Sequence, residues 1–284
     1  MTPDKSYRFE IVSSEGLPIR GVIDIPDDPG ALVITIHGFK GFKDWGFFPW
    51  TSEVFAEARI ASCRFDMSRS GIGEGSTDTF ERLDLFEDDT YSTEIADLRA
   101  VVRHLGTIDE LSGLPRFLFG HSRGGAIAIL GAKHVPNLQG VVTWSAISDL
   151  HRWDDETVKA WRAKGVLEIE NSRTKQTMRV STKLLDDLEK NAAALDVAAS
   201  LRGISQHMLV IHGASDETVP VEEAARIHDL APNASMVVID NATHTMCAAH
   251  PLVTVPKELR LAMGLTKKFV RTWAGIHEDP EAEN

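Results

Sequence analysis

Cysteine is scarce: Cys63 and Cys247 are the whole complement in 284 residues. Two thiols cannot build a disulfide framework and read as reduced side chains. Long apolar runs are missing as well. No uninterrupted segment approaches the roughly 20 residues that span a bilayer, and the opening MTPDKSYRFEIVSS has no apolar block of signal-peptide length. The expectation is a cytoplasmic protein with no membrane partner. Basic charge is in deficit: 30 Lys and Arg face 42 Asp and Glu, a net charge of −12. A general nucleic-acid binder needs a basic face to neutralise phosphates, so no nucleic-acid partner is expected. HExxH, paired CxxC, a glycine loop ending in GKS or GKT, and a GxGxxG that opens a helix are all absent. With them go the usual zinc and phosphate-loop chemistries.

What is present is an ordinary globular balance, 43% hydrophobic and 25% charged residues. Short β-rich runs alternate with helical ones, the pattern of a sheet covered by helices on both faces. Strands are expected at 7–12, 19–25, 31–36, 61–65, 116–119, 141–144, 208–211 and 236–239. The first two read as an antiparallel pair. Helices are expected at 51–58, 93–105, 124–133, 220–230 and 255–273. The alternation breaks at about residue 148. From there to 203 the chain shows a hairpin around 171–173 and a polar helix over 182–191, the features of an inserted cap. The division expected is a core of residues 1–147 and 204–276, a cap of 148–203, and a disordered acidic tail of 277–284. Between residues 151 and 200 nine cations balance nine anions, so the excess acidity lies outside the cap.

The most informative stretch is FLFGHSRGGAIAIL, where Gly120, Ser122 and Gly124 satisfy GxSxG between a strand and a helix. A serine at a sharp strand-to-helix turn has strained backbone angles, and bulky neighbours would clash with the opposing chain. The turn lifts the hydroxyl clear of the sheet, beside the free amides and positive dipole end of the next helix. A serine nucleophile needs a base, and the base needs an orienting acid. Asp216 falls just past the strand MLVIHG, and His244 in the loop after the last strand. The order Ser122, Asp216, His244 suits three groups at the carboxyl ends of parallel strands. Glu217 and Asp240 are the competing acids. THTMCAAH has a metal-like rhythm in His244, Cys247 and His250, but a zinc site needs more ligands and their orienting partners, so no metal is expected.

The early strand ALVITIHG runs into Phe39. In serine hydrolases of this order one oxyanion donor comes from the loop after that strand and the other from the residue following the nucleophile, which assigns the backbone amides of Phe39 and Arg123. Residues 39–50 hold six of the chain's 20 aromatics. These rings either anchor the loop or line a pocket. Trp45 from this run and Trp144 at a strand end are the expected substrate-binding residues. In FDMSRSGIGEGS, Asp66 and Arg69 are expected to form a local ion pair that holds a tight turn. The Arg123 side chain either meets a substrate carboxylate or forms a salt bridge within the protein.

HGFKG, FDMSRSGIGEGS, GHSRGG, HGASDETVP and NATHT stand in the order seen in the α/β-hydrolase superfamily, which the chain resembles from about residue 7 to 273. Within it, the compact hairpin-bearing cap looks like the cinnamoyl or feruloyl esterase-like and serine-aminopeptidase-like hydrolases of bacteria. The resemblance implies an α/β fold with a mostly parallel eight-stranded sheet, Ser122, His244 and Asp216 as a triad, and a carboxylesterase-type reaction on a small-molecule ester without a cofactor. One departure is Arg123, where feruloyl esterases of this type often carry Gln. A peptidase or amidase would need a carboxylate for the substrate amine, for which Glu168 and Glu170 are the candidates. A thioesterase on the same triad and a non-catalytic binding protein on the same scaffold compete with the ester reading, and a homodimer is left open.

Overall fold

The computed structural model describes residues 5–76 and 79–277. Its strands run in chain order as β1 (Lys5–Val12), β2 (Pro18–Ile25), β3 (Ala31–Ile36), β4 (Ile60–Asp66), β5 (Arg116–His121), β6 (Leu138–Trp144), β7 (Val166–Glu170), β8 (Thr177–Ser181), β9 (His207–Gly213) and β10 (Ala234–Ile239). The helices are α1 (Phe48–Glu57), α2 (Leu83–Glu87), α3 (Tyr91–Leu105), α4 (Arg123–Gly131), α5 (Asp155–Lys164), α6 (Lys183–Lys190), α7 (Val197–Gly203), α8 (Val221–Leu230) and α9 (Lys257–Ala274). Eight strands form one sheet in the order β1-β2-β4-β3-β5-β6-β9-β10. β2 pairs antiparallel with both β1 and β4, and every pairing from β4 to β10 is parallel.

The near-continuous apolar runs of the central strands follow from burial on both faces. Successive side chains alternate, so each strand feeds two cores. Leu32, Ile34, Leu118, Val141, Met208 and Val210 join the core under α3, α4 and α8. Their neighbours Val33, Phe117, Phe119, Val142, Trp144, Leu209 and Ile211 join the opposite core, under α1 and α9. From β3 the chain steps outward to β4 and then returns to the other side of β3 as β5. The loops after β3 and β5 therefore diverge to opposite faces, and a crevice opens between them at the carboxyl ends of the strands.

The segment expected as a cap, 148–203, divides in two. Strands β7 and β8 form a separate hairpin flanked by α5 and α6. By contrast α7 packs with α4 and α8 in the helical layer and completes the crossover to β9. α2, α5 and α7 are additions to the elements expected from the sequence. α5 buries only Trp161, so it carries no apolar stripe to betray it, and α2 and α7 are too short for periodicity to register. His277 excepted, the expected acidic tail lies outside the described residues. None of the described helices is long and apolar enough to cross a membrane.

Candidate active site

Ser122 sits between β5 and α4 with φ 57° and ψ −124°, an angle pair that non-glycine residues rarely adopt. Its amide donates to Trp144 O at 2.9 Å, which ties the turn to the next strand. The glycines on either side are required by space. A Cβ on Gly120 would stand 2.3 Å from Gly124 O, and one on Gly124 would stand 2.3 Å from Ile36 O. The helix thus crosses the strand ends at backbone contact, and the serine is pushed up into the crevice.

Asp216 and His244 leave the ends of β9 and β10 and meet there. His244 Nδ1 lies 2.9 Å from Asp216 Oδ2 and 3.1 Å from Oδ1. Two acceptor oxygens at one ring nitrogen put the hydrogen on Nδ1, which leaves the Nε2 lone pair available. The Asp216 side chain is wholly buried. Burial alone would raise its pKa, but hydrogen bonds from His212, His244 and the Val219 amide prevail and hold the carboxyl well below the usual carboxylate range. Thr218 N and Val219 N each donate to Oδ1 at 2.9 Å. Neither Glu217 nor Asp240 hydrogen-bonds to His244.

Two further histidines support this pair, and neither stands out in the sequence. His212 is fully buried, with Nε2 2.9 Å from Val219 O and 3.3 Å from Asp216 Oδ2. Both neighbours are acceptors, so Nε2 carries the hydrogen and the ring donates toward the carboxylate. His121 lies beneath His244, its ring centroid 4.8 Å away, and its Nε2 donates to His244 O at 2.9 Å. Burial, then the neighbouring His244, pushes the His121 pKa down to about 3, so it stays a neutral donor. The signals available were local. His212 precedes Asp216 by four residues, and His121 is the first variable residue of GxSxG.

Phe39 follows β3 and Arg123 opens α4. Arg123 N–H is one of the first helical amides, which have no partner within the helix. The side chains of the two residues are coupled. The Arg123 guanidinium stands 4.2 Å from the Phe39 ring centroid and 4.7 Å from that of Tyr91. Arg123 Nη1 also reaches Asp89 Oδ2 at 3.2 Å and Glu94 Oε1 at 3.1 Å. The side chain is committed to an internal ion pair, so it is closed to a substrate carboxylate. Attraction of the cation for the ring face holds Phe39 over the start of α4.

A cavity of about 240 Å³ joins these parts. Ser122 and His244 line it together with Phe39, Lys40, Trp45 and the hairpin residue Arg173. Trp45 stacks on His250, with centroids 6.1 Å apart. Trp144 is a correction to the expected pocket. It is fully buried in the α1 and α9 core, where its indole N–H donates to Thr266 Oγ1 at 3.0 Å. Its position in the alternation of β6 points it away from the crevice. The Asp66–Arg69 ion pair is a second correction. β4 directs Asp66 to the loop after β3, where it accepts from Lys43 N at 2.6 Å, while Arg69 reaches Glu15 in the β1–β2 turn at 2.7 Å. Glu168 and Glu170 pair with Lys164 and Lys175 and do not line the cavity. Among the described residues no group of three or more His, Cys, Asp or Glu could hold a metal ion. His250 Nδ1 accepts from Gly46 N at 2.8 Å, and Cys247 Sγ lies 3.4 Å from Asn241 O.

A doubly covered, mostly parallel eight-stranded sheet, with a serine elbow after one strand and a paired acid and histidine after the last two, defines the α/β-hydrolase class. The chain belongs to the alpha/beta hydrolase family, whose model matches residues 33–257. It is 26% identical over 245 residues to a 2,6-dihydropseudooxynicotine hydrolase of Paenarthrobacter nicotinovorans, a match that takes in 84% of this chain and spans 59% of that relative's length. Among solved structures it is similar to Est1E from Butyrivibrio proteoclasticus, with a TM-score of 0.69 and 19% identity over 94% of this chain and 99% of that one. It is also similar to the esterase domain of a Rhodothermus marinus protein, with a TM-score of 0.65 and 20% identity over 95% of this chain and 100% of that one.

Proposed function

We propose that this chain is a serine hydrolase that cleaves carboxylic esters through an acyl-enzyme on Ser122. The observation that carries the reading is the buried Asp216 bonded to His244 Nδ1 at 2.9 Å, in a cavity that Ser122 shares. In this reaction His244 Nε2 takes the proton from Ser122 Oγ as the oxygen attacks the ester carbonyl. The Phe39 and Arg123 amides stabilise the oxyanion, and His244 returns the proton to the leaving alcohol. Water then attacks the acyl carbonyl and loses a proton to His244, which passes it to Ser122 Oγ as the acid is released. Asp216 stays ionised throughout, as its lowered pKa requires, and fixes the tautomer of the base.

Two comparisons support an ester over an amide. The Rhodothermus marinus domain is described as an esterase domain, and Est1E is described with ferulic acid bound. The carboxylates that would have recognised a substrate amine lie outside the cavity. The test uses short p-nitrophenyl esters. The parent protein is expected to hydrolyse them and to be labelled by a fluorophosphonate at Ser122. Ser122→Ala should lower kcat by roughly 10⁴-fold or more and leave the unfolding transition in place. Activity retained by a clean Ser122→Ala preparation would overturn the assignment. A parent protein that neither turns over nor labels would be a non-catalytic binder.

A further inference from the structure

Among the described residues, the Lys, Arg, Asp and Glu side chains that line the cavity of Ser122 and His244 are all basic. Lys40, from the loop after β3, and Arg173, from the hairpin tip, both line it, and among the described residues no Asp or Glu does. In a chain with 42 acidic and 30 basic residues this is the reverse of the average surface. Some cations elsewhere are matched by carboxylates: Arg64 meets Asp24 and Asp44, and Arg162 meets Asp186 and Glu189. Lys40 differs. No carboxylate among the described residues lies within ion-pair distance of it, and its Nζ stands 5.9 Å from the Phe39 ring centroid. The side chain is half-buried, and burial pushes its pKa down with no anion to raise it. An ammonium that gives up water without gaining a partner is destabilising, so a partner delivered to it is bound with a net gain.

The main chain beneath both cations is held at the cavity wall. Gly41 N donates to Gly38 O at 3.0 Å and closes the turn that carries Lys40, whose φ of 58° is in the left-handed region. On the hairpin, Asn171 Oδ1 accepts from Arg173 N at 3.1 Å and Thr174 N at 3.3 Å. Gln176 exchanges two hydrogen bonds with the Phe80 backbone, at 2.8 and 3.1 Å, and fastens the tip to the core.

We propose that this cavity selects substrates that carry a carboxylate close to the bond cleaved, with Lys40 as the specificity-determining contact. The proposal rests on the ester-hydrolase reading for the bond that breaks, while recognition of the anion needs no turnover. A cavity of about 240 Å³ suits a short chain or single ring ending in one carboxylate.

Calorimetric titration of Ser122→Ala protein tests it with two matched pairs: 4-acetoxybenzoate against its methyl ester, and monoethyl glutarate against diethyl glutarate. The acid of at least one pair is expected to bind about tenfold more tightly than its neutral partner, with an advantage that shrinks as salt is raised. Adding Lys40→Met should remove most of that advantage, and Lys40→Arg should keep it. Acids that bind no better than the neutral esters in both pairs, or an advantage untouched by Lys40→Met, would overturn the proposal. The two readings fail separately. A failed esterase reading shows as absent hydrolysis by the parent protein, and a failed anion reading as absent selectivity in the titrations.

Discussion

At the scale of single residues, Arg123 links stability to Phe39 in the loop after β3. One guanidinium faces two buried acids, and burial, then the charge of Glu94, raises the Asp89 pKa well above its ordinary value. Removing the cation would leave both acids in a low-dielectric site without a counter-ion. Arg123→Met is therefore expected to destabilise the protein by about 3 to 5 kcal/mol, read from urea unfolding. Adding Asp89→Asn and Glu94→Gln should restore part of that loss, because the neutral amides no longer need a cation. An Arg123→Met midpoint equal to that of the parent would show that the ion pair contributes nothing. His212 and His121 belong to the same scale. Each is a ring whose one N–H fixes an oxygen of the Asp216–His244 pair, so the geometry of that pair is set by residues outside the proposed proton path between Ser122 and His244.

At the scale of elements, α3 carries a buried acid that faces the loop after β4. Asp97 Oδ2 accepts from Ser68 N at 2.7 Å, and burial pushes its pKa up to about 6. A folded-state pKa above the unfolded one favours the protonated form in the fold. The associated stability is fully present below the unfolded pKa, near 4, and is lost as pH rises through about 6. Asp97→Asn keeps an acceptor for Ser68 N and removes the titration. Its stability relative to the parent should improve by about 1 to 2 kcal/mol on going from about pH 5 to about pH 8, measured by denaturant unfolding at each pH. A constant difference across that interval would contradict the assignment. The β7–β8 hairpin works at the same scale in a different way. Its short turn, held by Asn171, delivers Arg173 to the cavity wall without any help from the main sheet.

At the scale of the molecule, the sheet separates two cores that serve different ends. The core under α3, α4 and α8 supports the serine elbow and the Arg123 cluster, and the core under α1 and α9 is structural packing around Trp144. Trp144→Phe deletes the indole donor to Thr266 and leaves a void, so it should cost about 1 to 3 kcal/mol in thermal or urea unfolding. KM for small esters should stay as in the parent, and a large change in KM would return Trp144 to the pocket. The net charge of −12 bears on the same scale. It disfavours the approach of anions from afar, so the proposed attraction to Lys40 acts only at short range, within about a Debye length.

Much of this is legible in the residues themselves. Alternation of period two and the glycines of GxSxG are local signals, and strand ends followed by Asp216 and His244 are readable because each such residue announces itself within a few positions of an element boundary. Trp144 invites the wrong assignment because an aromatic at a strand end is compatible with either face. Only the parity of β6 against its neighbours in the sheet turns it toward α9. Arg123 with Asp89 and Glu94, and Asp66 with Lys43, are contacts between segments tens of residues apart, and Lys40 shares a cavity with the distant hairpin tip. Nothing in the spacing of such pairs along the chain encodes their distance in space. The sequence by itself determined the order of elements, the strained serine turn and the chemistry on offer at each loop. The tertiary structure decided which of those side chains share a cavity and that Lys40 stands there with no carboxylate beside it among the described residues, because burial and ion pairing depend on packing between elements.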